Sequence, residues 1–537
     1  MILPTRMTHE LLFSVVVLSS FVTYWLLLGG FFDHVYEPDT DFSLIVQYIT
    51  AIENFNIKAL PVPSGHYPYF DGGSILYAIF AMLLQALGVW SEFSTKESIY
   101  IFSVYAVNIA LYSIGVGIFY RICHRLSGSL LLSCVLAMMF AISPMILDIN
   151  PLRIDYVIYS LTIFVCYLCI LILQGVISKS VVYSLGVTSA FLVTTKVTGV
   201  TFLLLPFLCF MLSWRENYLP LIVRGFLASF LSMFMVLMVR YLYHGILVHT
   251  FIGGIQEVRR WSDILPMEPY WFYNIDNFTA YGKVFLFIAI ASICIVSFYA
   301  LFKQDRISIF ILVPLVCFSL LLMLSPKFSR WGTVISIYYF LTIAVALAYT
   351  YKFFNRFTPR FVNDKLALLA ICILLLPSGL AFSEKYRAVY KATEHKAAAI
   401  KSTKTMPMDW FRKNATKDSV VCIFIHSDWV IPPLAEVGMR VIYGPFNFPY
   451  LDPVLMGTFQ PPDVENLSRE CEYVLIDGFH LTVMLGTFTK YGHKGVEKAW
   501  MDFLGTGMKT HYEHLSFTTE YPEWSWWNLD LYVRKAG

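Results

Sequence analysis

Residues 11–41 read LLFSVVVLSSFVTYWLLLGGFFDHVYEPDTD, and this stretch decides how the chain is organised. Its first part, Leu11–Phe31, is an uninterrupted apolar run. A helix needs about 20 such residues to cross a bilayer. The run then breaks into an acidic segment, Glu37-Pro38-Asp39-Thr40-Asp41, where proline ends the helix and turns the chain. The first segment is too long for a signal peptide and has no small-residue cleavage site, so it reads as a retained helix.

Further apolar runs follow at Ile99–Tyr120, Ser129–Leu147, Tyr156–Ile177, Val181–Thr195, Val197–Ser213, Leu219–Leu247, Val284–Phe302, Ile307–Leu324, Gly332–Tyr351 and Leu366–Phe382. With Leu11–Phe31 they make about eleven spans. A further run, Gly73–Val89, is close to the minimum length and is read as a juxtamembrane helix. Charge decides that point, because Lys and Arg collect in cytoplasmic loops. With Gly73–Val89 outside the count, Arg121, Arg125, Lys179, Arg215, Lys303, Arg306, Lys352, Arg356, Arg360 and Lys365 all face the cytoplasm. The N-terminus is then inside, and the loop 32–72 and everything after residue 383 are outside.

Composition agrees. The 537 residues are 58% hydrophobic and only 14% charged, against about 25% charged in a soluble domain. The charge returns from Glu384 onward, dividing the chain into a membrane domain, 1–383, and a soluble extracytoplasmic domain, 384–537. In the latter, Glu384–Asn414 reads as helix, and Ser419–Ile425, Arg440–Tyr443, Glu472–Ile476 and Leu529–Arg534 read as short strands of a small α/β domain. A net charge of +3 gives no reason to expect nucleic acid. Of the ten cysteines, only Cys422 and Cys471 fall in the soluble part, where they are free to pair if the domain is outside. No Walker loop, dinucleotide fingerprint, zinc spacing or nucleophile elbow is present.

The candidate chemistry lies on the outer side. Asp39 and Asp41, two residues apart at the membrane surface, suit a shared proton, a general base or a divalent cation; they read equally as a solvated acidic loop. No cofactor motif accompanies them. A second acidic turn contains Arg153 and Asp155, which read as a local ion pair. Lys196, Arg259, Arg260, Lys327 and Arg330 are cations on the side where orientation rules disfavour them, and Arg240 lies inside a span. Together they suit a lipid-linked phosphate; singly they read as interfacial anchors. His66 and Tyr67 lie in a turn-rich aromatic stretch suited to stacking on a sugar or isoprenoid.

The order of these features resembles the GT-C superfamily of polyprenyl-phosphate-dependent glycosyltransferases. The likeness is to the branch of protein O-mannosyltransferases and lipid A aminoarabinose transferases. It rests on Pro38-Asp39-Thr40-Asp41, His66-Tyr67-Pro68-Tyr69, Tyr120-Arg121-Ile122-Cys123-His124-Arg125, Arg153-Ile154-Asp155, Thr195-Lys196-Val197-Thr198-Gly199, Tyr270-Trp271-Phe272-Tyr273 and Ser325-Pro326-Lys327-Phe328-Ser329-Arg330. The usual Asp-Glu pair is Asp-Thr-Asp here, which leaves two candidates for the base. The proline motif has one of its two prolines. The resemblance implies an inverting transferase in a bacterial inner membrane, or alternatively the endoplasmic reticulum. It implies a polyprenyl-phosphate-linked sugar donor and a glycolipid, glycan or protein acceptor, with membrane lipid around the chain. Asp39 or Asp41 would be the base, Asp155 would orient the acceptor or the base, and the external cations would hold the phosphate. Two competing readings are a transporter or lipid-linked saccharide flippase or polymerase, and a non-catalytic subunit that keeps the fold. The matched halves of a transporter are not visible in the sequence.

The topology is directly testable. A reporter active only outside the cytoplasm, fused after Gly537, should be active; activity of a cytoplasmic reporter there would mean that Gly73–Val89 spans and that the acidic loop lies inside.

Overall fold

The computed structural model describes residues 5–32, 71–88, 96–143, 154–243, 282–323, 329–356, 407–424, 438–443, 457–518 and 528–535, with isolated positions at 252, 379–380, 382–388 and 391. Two compact units are distinguished, one built on residues 1–29 and 45–389, the other containing 390–537.

The first unit is helical. It contains α1 (Thr5–Phe32), α2 (Asp71–Ala86), α3 (Lys96–Ser127), α4 (Leu130–Ala141), α5 (Asp155–Leu173) and α6 (Lys179–Thr195). After a 3-10 segment, Val197–Leu203, come α7 (Leu204–Leu212), α8 (Leu219–Tyr243), α9 (Gly282–Phe302), α10 (Arg306–Met323) and α11 (Ser329–Phe354). Among the described residues five helices are long and apolar enough to cross a membrane, in α1, α3, α5, α8 and α11, and shorter apolar helices accompany them. This is an α-helical polytopic membrane fold with a C-terminal α/β domain. The expected run Leu366–Phe382 falls almost wholly outside the described residues.

One expectation is corrected. Val197–Ser213 is not one continuous α-helix: its first seven residues are 3-10 and only Leu204–Leu212 is α-helical. Hydropathy does not distinguish the two, and the tighter winding follows from the extended backbone of Lys196 described below.

Local sequence explains the hairpins. Ser127-Gly128-Ser129 joins α3 to α4: Gly128 takes a positive φ of 72°, its N–H returns to the His124 carbonyl at 2.8 Å, and Ser129 caps α4 by accepting from Leu132 N. Gly175 and Ser178 repeat the arrangement between α5 and α6, with φ 77° at Gly175 and Ser178 accepting from Val181 N. In the core, Tyr24 of α1 and Tyr112 of α3 both donate to the carbonyl of Ala141, at the end of α4. These bonds satisfy a helix end buried in the bundle.

The second unit carries a five-stranded sheet of order β2-β1-β3-β5-β4, with β1 (Val420–Phe424), β2 (Arg440–Tyr443), β3 (Tyr473–Asp477), β4 (Tyr512–Thr518) and β5 (Asn528–Arg534). β2, β1 and β3 are parallel, while β5 and β4 join antiparallel. One face buries Val421, Ile423, Leu475, Leu529 and Leu531 against Met408 and Phe411 of the helix at 407–414. The four expected strands are present; β4 is additional. Cys422 of β1 and Cys471, just before β3, form a buried disulfide with Cα atoms 5.7 Å apart.

That bond closes a long loop, 49 residues in sequence separation, which the chain-entropy model values at about 4 kcal/mol. Cys422→Ser should therefore lower the unfolding stability of this domain by several kcal/mol, and reduction of the wild-type protein should do the same. Non-reducing peptide mapping combined with denaturant unfolding checks both; recovery of Cys422 and Cys471 as free thiols from native protein would remove the effect.

Candidate functional site

The described part of the site is built where the start of α5 meets the end of α6. Asp155 is the first residue of α5. No side chain caps that helix, so its carboxylate lies in the first turn, where the helix dipole favours negative charge. Lys196 lies 41 residues further on. Its Nζ approaches Asp155 Oδ1 at 3.0 Å, with the two side chains only 5% and 8% exposed for lysine and aspartate. Charges taken this far from water must be paired.

Lys196 reaches Asp155 because of its backbone. Its φ of −156° and ψ of 147° are extended and end α6. Thr194 and Thr195 turn their hydroxyls back onto the carbonyls of Ala190 and Phe191. The chain then closes at once into the 3-10 segment, with Gly199 N–H donating to the Lys196 carbonyl at 2.8 Å. A Cβ on Gly199 would stand 2.0 Å from the Leu192 carbonyl oxygen. Only glycine permits the segment to fold back so closely on α6. The spacing of Thr195-Lys196-Val197-Thr198-Gly199 thus has a physical meaning: helix end, buried cation, tight return.

The start of α2 is packed into the same corner. A Cβ on Gly72 would lie 2.5 Å from Thr194 Oγ1, and one on Gly73 would lie 2.3 Å from Ile154 Cδ1 and 3.0 Å from Thr195 Cγ2. The first turn of α2 therefore rests on the residues flanking both members of the ion pair. Deeper in α2, the buried Tyr77 hydroxyl donates to Asn108 Oδ1 of α3 at 2.8 Å. The second oxygen of Asp155, Oδ2, is buried and has no hydrogen-bond partner among the described residues. A carboxylate oxygen in that state is an acceptor awaiting a donor.

The sequence reading paired Asp155 with Arg153; among the described residues its partner is Lys196. Two charges that had been given separate roles are in contact. The missed signal is the burial rule itself, since a lysine at the end of an apolar helix must find a carboxylate. Gly72 and Gly73 had been read only as a helix boundary. Arg240 is near the end of α8 and Arg330 in the first turn of α11. Asp39, Asp41, His66, Tyr67, Arg153, Arg259, Arg260 and Lys327 lie outside the described residues. Among the described residues no three His, Cys, Asp or Glu side chains are grouped to hold a metal ion.

No family model matches the sequence, and no curated protein matches it. Solved structures do. ArnT from Cupriavidus metallidurans bound to undecaprenyl phosphate superposes with a TM-score of 0.57 at 10% identity, over 98% of this chain and 98% of that one. The oligosaccharyltransferase of Archaeoglobus fulgidus superposes with a TM-score of 0.57 at 11% identity, over 98% of this chain and 74% of the other. The same enzyme tethered to an acceptor peptide with an NVT sequon gives 0.56 at 12% identity, over 99% and 74%. Both proteins belong to the GT-C superfamily. The chain has the GT-C fold. The GT-C likeness runs the full length of ArnT, membrane and soluble parts together.

Removing one member of the buried pair should be costly. Lys196→Met, which leaves Asp155 buried and unpaired, should destabilise the protein by roughly 3–5 kcal/mol, and the double change Lys196→Met with Asp155→Asn should recover a large part of the loss. Thermal unfolding in detergent reads both; equal stability of all three proteins would refute the pairing.

Proposed function

We propose that the chain is an inverting glycosyltransferase that moves a sugar from a polyprenyl-phosphate donor to an extracytoplasmic acceptor, a glycolipid, glycan or protein. The observation that carries this reading is the full-length GT-C likeness to ArnT, a protein seen bound to undecaprenyl phosphate. The buried Asp155–Lys196 pair, with one carboxylate oxygen unpartnered among the described residues, supports it.

In this reading Asp39 or Asp41 takes the proton from the acceptor hydroxyl or amine. The acceptor atom attacks the anomeric carbon from the face opposite the phosphate, and the carbon–oxygen bond to the phosphate breaks. The electron pair leaves on the lipid phosphate. Arg153, Arg240, Arg259, Arg260, Lys327 and Arg330 are the cations assigned to that developing charge. Lys196 acts differently. Its charge is committed to Asp155, so it holds the carboxylate while Oδ2 orients the acceptor or the base. His66 and Tyr67 are assigned to the sugar or the lipid. A divalent cation, if the reaction uses one, has Asp39 and Asp41 as its candidate ligands.

The membrane domain 1–383 then supplies the chemistry, and the soluble domain 384–537 selects the acceptor. The buried Cys422–Cys471 disulfide supports an oxidising location for that domain, outside the cytoplasm, in a bacterial inner membrane or facing the lumen of the endoplasmic reticulum.

Transfer of labelled sugar from polyprenyl-phosphate donors, in membranes containing the protein, tests the reading. Asp39→Asn or Asp41→Asn should cut turnover by about 10²-fold or more at normal protein levels. Arg330→Ala should lower turnover more than it weakens donor binding, and Arg330→Lys should restore only part, because a point charge cannot reproduce a planar fork. Full activity in both aspartate variants would assign the acidic loop a non-catalytic role.

A further inference from the structure

At the end of the bundle remote from Asp155, α1 and α3 bring together four polar atoms that are buried and, among the described residues, have no hydrogen-bond partner. They are His9 Nδ1, the Tyr120 hydroxyl, Arg121 Nε and His124 Nδ1. They form one cluster. The His9 ring stands 4.3 Å from that of His124 and 5.4 Å from that of Tyr120, centroid to centroid. Tyr120 is fully buried. Arg121 is held in place, with a terminal nitrogen 2.5 Å from Glu10 Oε2 and the guanidinium carbon 4.0 Å above the Phe13 ring.

The set is rich in donors. Arginine can only donate, a tyrosine hydroxyl donates readily, and an imidazole donates from one nitrogen when neutral and from both when protonated. Glu10 is the acceptor close at hand, and it already serves Arg121. Donors gathered in this way call for a group with several acceptor oxygens. Its level is also defined: the apolar window of α1 begins at His9 and that of α3 ends at Ser127. The cluster therefore lies where the hydrocarbon region gives way to lipid headgroups, at the face away from the candidate transferase site.

We propose that His9, Tyr120, Arg121 and His124 form a binding site for a phosphate group, separate from the site at Asp155 and independent of the transferase reading. A phosphodiester of a membrane lipid headgroup or free phosphate would supply the same oxygens, and charge-assisted bonds from Arg121 would hold either.

The test uses full-length protein purified in a maltoside detergent and phosphate-free buffer, titrated calorimetrically with short-chain phosphatidylglycerol and, separately, with inorganic phosphate. The double variant His9→Leu, Tyr120→Phe removes two of the four groups and leaves the Arg121–Glu10 pair intact; His124→Leu is a second, independent variant. Saturable binding of the lipid, weakened roughly tenfold or more in either variant, supports a headgroup site. Binding of inorganic phosphate with the same sensitivity supports the phosphate site and assigns it to the free anion. No binding of either probe, or equal affinity in wild type and in every variant of wild-type thermal stability, overturns the proposal and leaves these four groups to water.

Discussion

The ion pair between Asp155 and Lys196 is the constraint around which the described site is arranged. Two opposite charges, both more than nine-tenths removed from solvent, cannot be separated without leaving one of them stranded. That requirement fixes the start of α5 against the end of α6. The extended backbone at Lys196, where α6 gives way to the 3-10 segment, lets the lysine meet that requirement. The pair also sets the floor on which α2 begins, because Gly72 and Gly73 are in contact with the residues on either side of the pair. A buried pair of this kind contributes little net stability compared with apolar residues of the same shape. Its presence here is better explained by what it holds in place than by how strongly it holds.

The two units meet different physical demands. In the membrane unit, backbone groups are satisfied within helices, and buried helix ends are met by tyrosines and capping serines. Tyr24 and Tyr112 on the end of α4 are the clearest case. In the soluble unit a small sheet has one apolar face against the helix at 407–414 and a covalent bond between β1 and the residue leading into β3.

Much of this was legible in the sequence, and the failures are instructive. Apolar length located α1, α3, α5, α8 and α11. β1, β2, β3 and β5 were visible as short runs rich in Val and Ile. β4 was not, because Glu513, His514 and Ser516 break its apolar pattern; what holds it is the ladder to β5, with His514 opposite Tyr532 and Ser516 opposite Asp530. At the site, Asp155 and Lys196 were both singled out, yet for different tasks. The Asp155–Lys196 contact spans 41 residues and leaves no local trace in the sequence, while Arg153, the expected partner of Asp155, lies outside the described residues. Gly199 was part of a quoted motif, but its reason, the Leu192 carbonyl beside it, is a property of the folded chain alone.

α6 has a consequence for how the protein is made. It is 17 residues long and dotted with Ser180, Ser184, Thr188, Ser189, Thr194 and Thr195, and it is not among the helices apolar enough to cross a bilayer by themselves. It is nevertheless the helix that delivers Lys196 to a buried position. α5, joined to it by a short capped turn, is among the most apolar segments and leaves the ribosome first. Asp155 is thus already at the membrane boundary when Lys196 emerges, and the lysine enters beside a carboxylate in place of bare hydrocarbon. Order of synthesis and charge pairing thus run in the same direction: the carboxylate on the strongly apolar helix precedes the lysine at the end of the weakly apolar one.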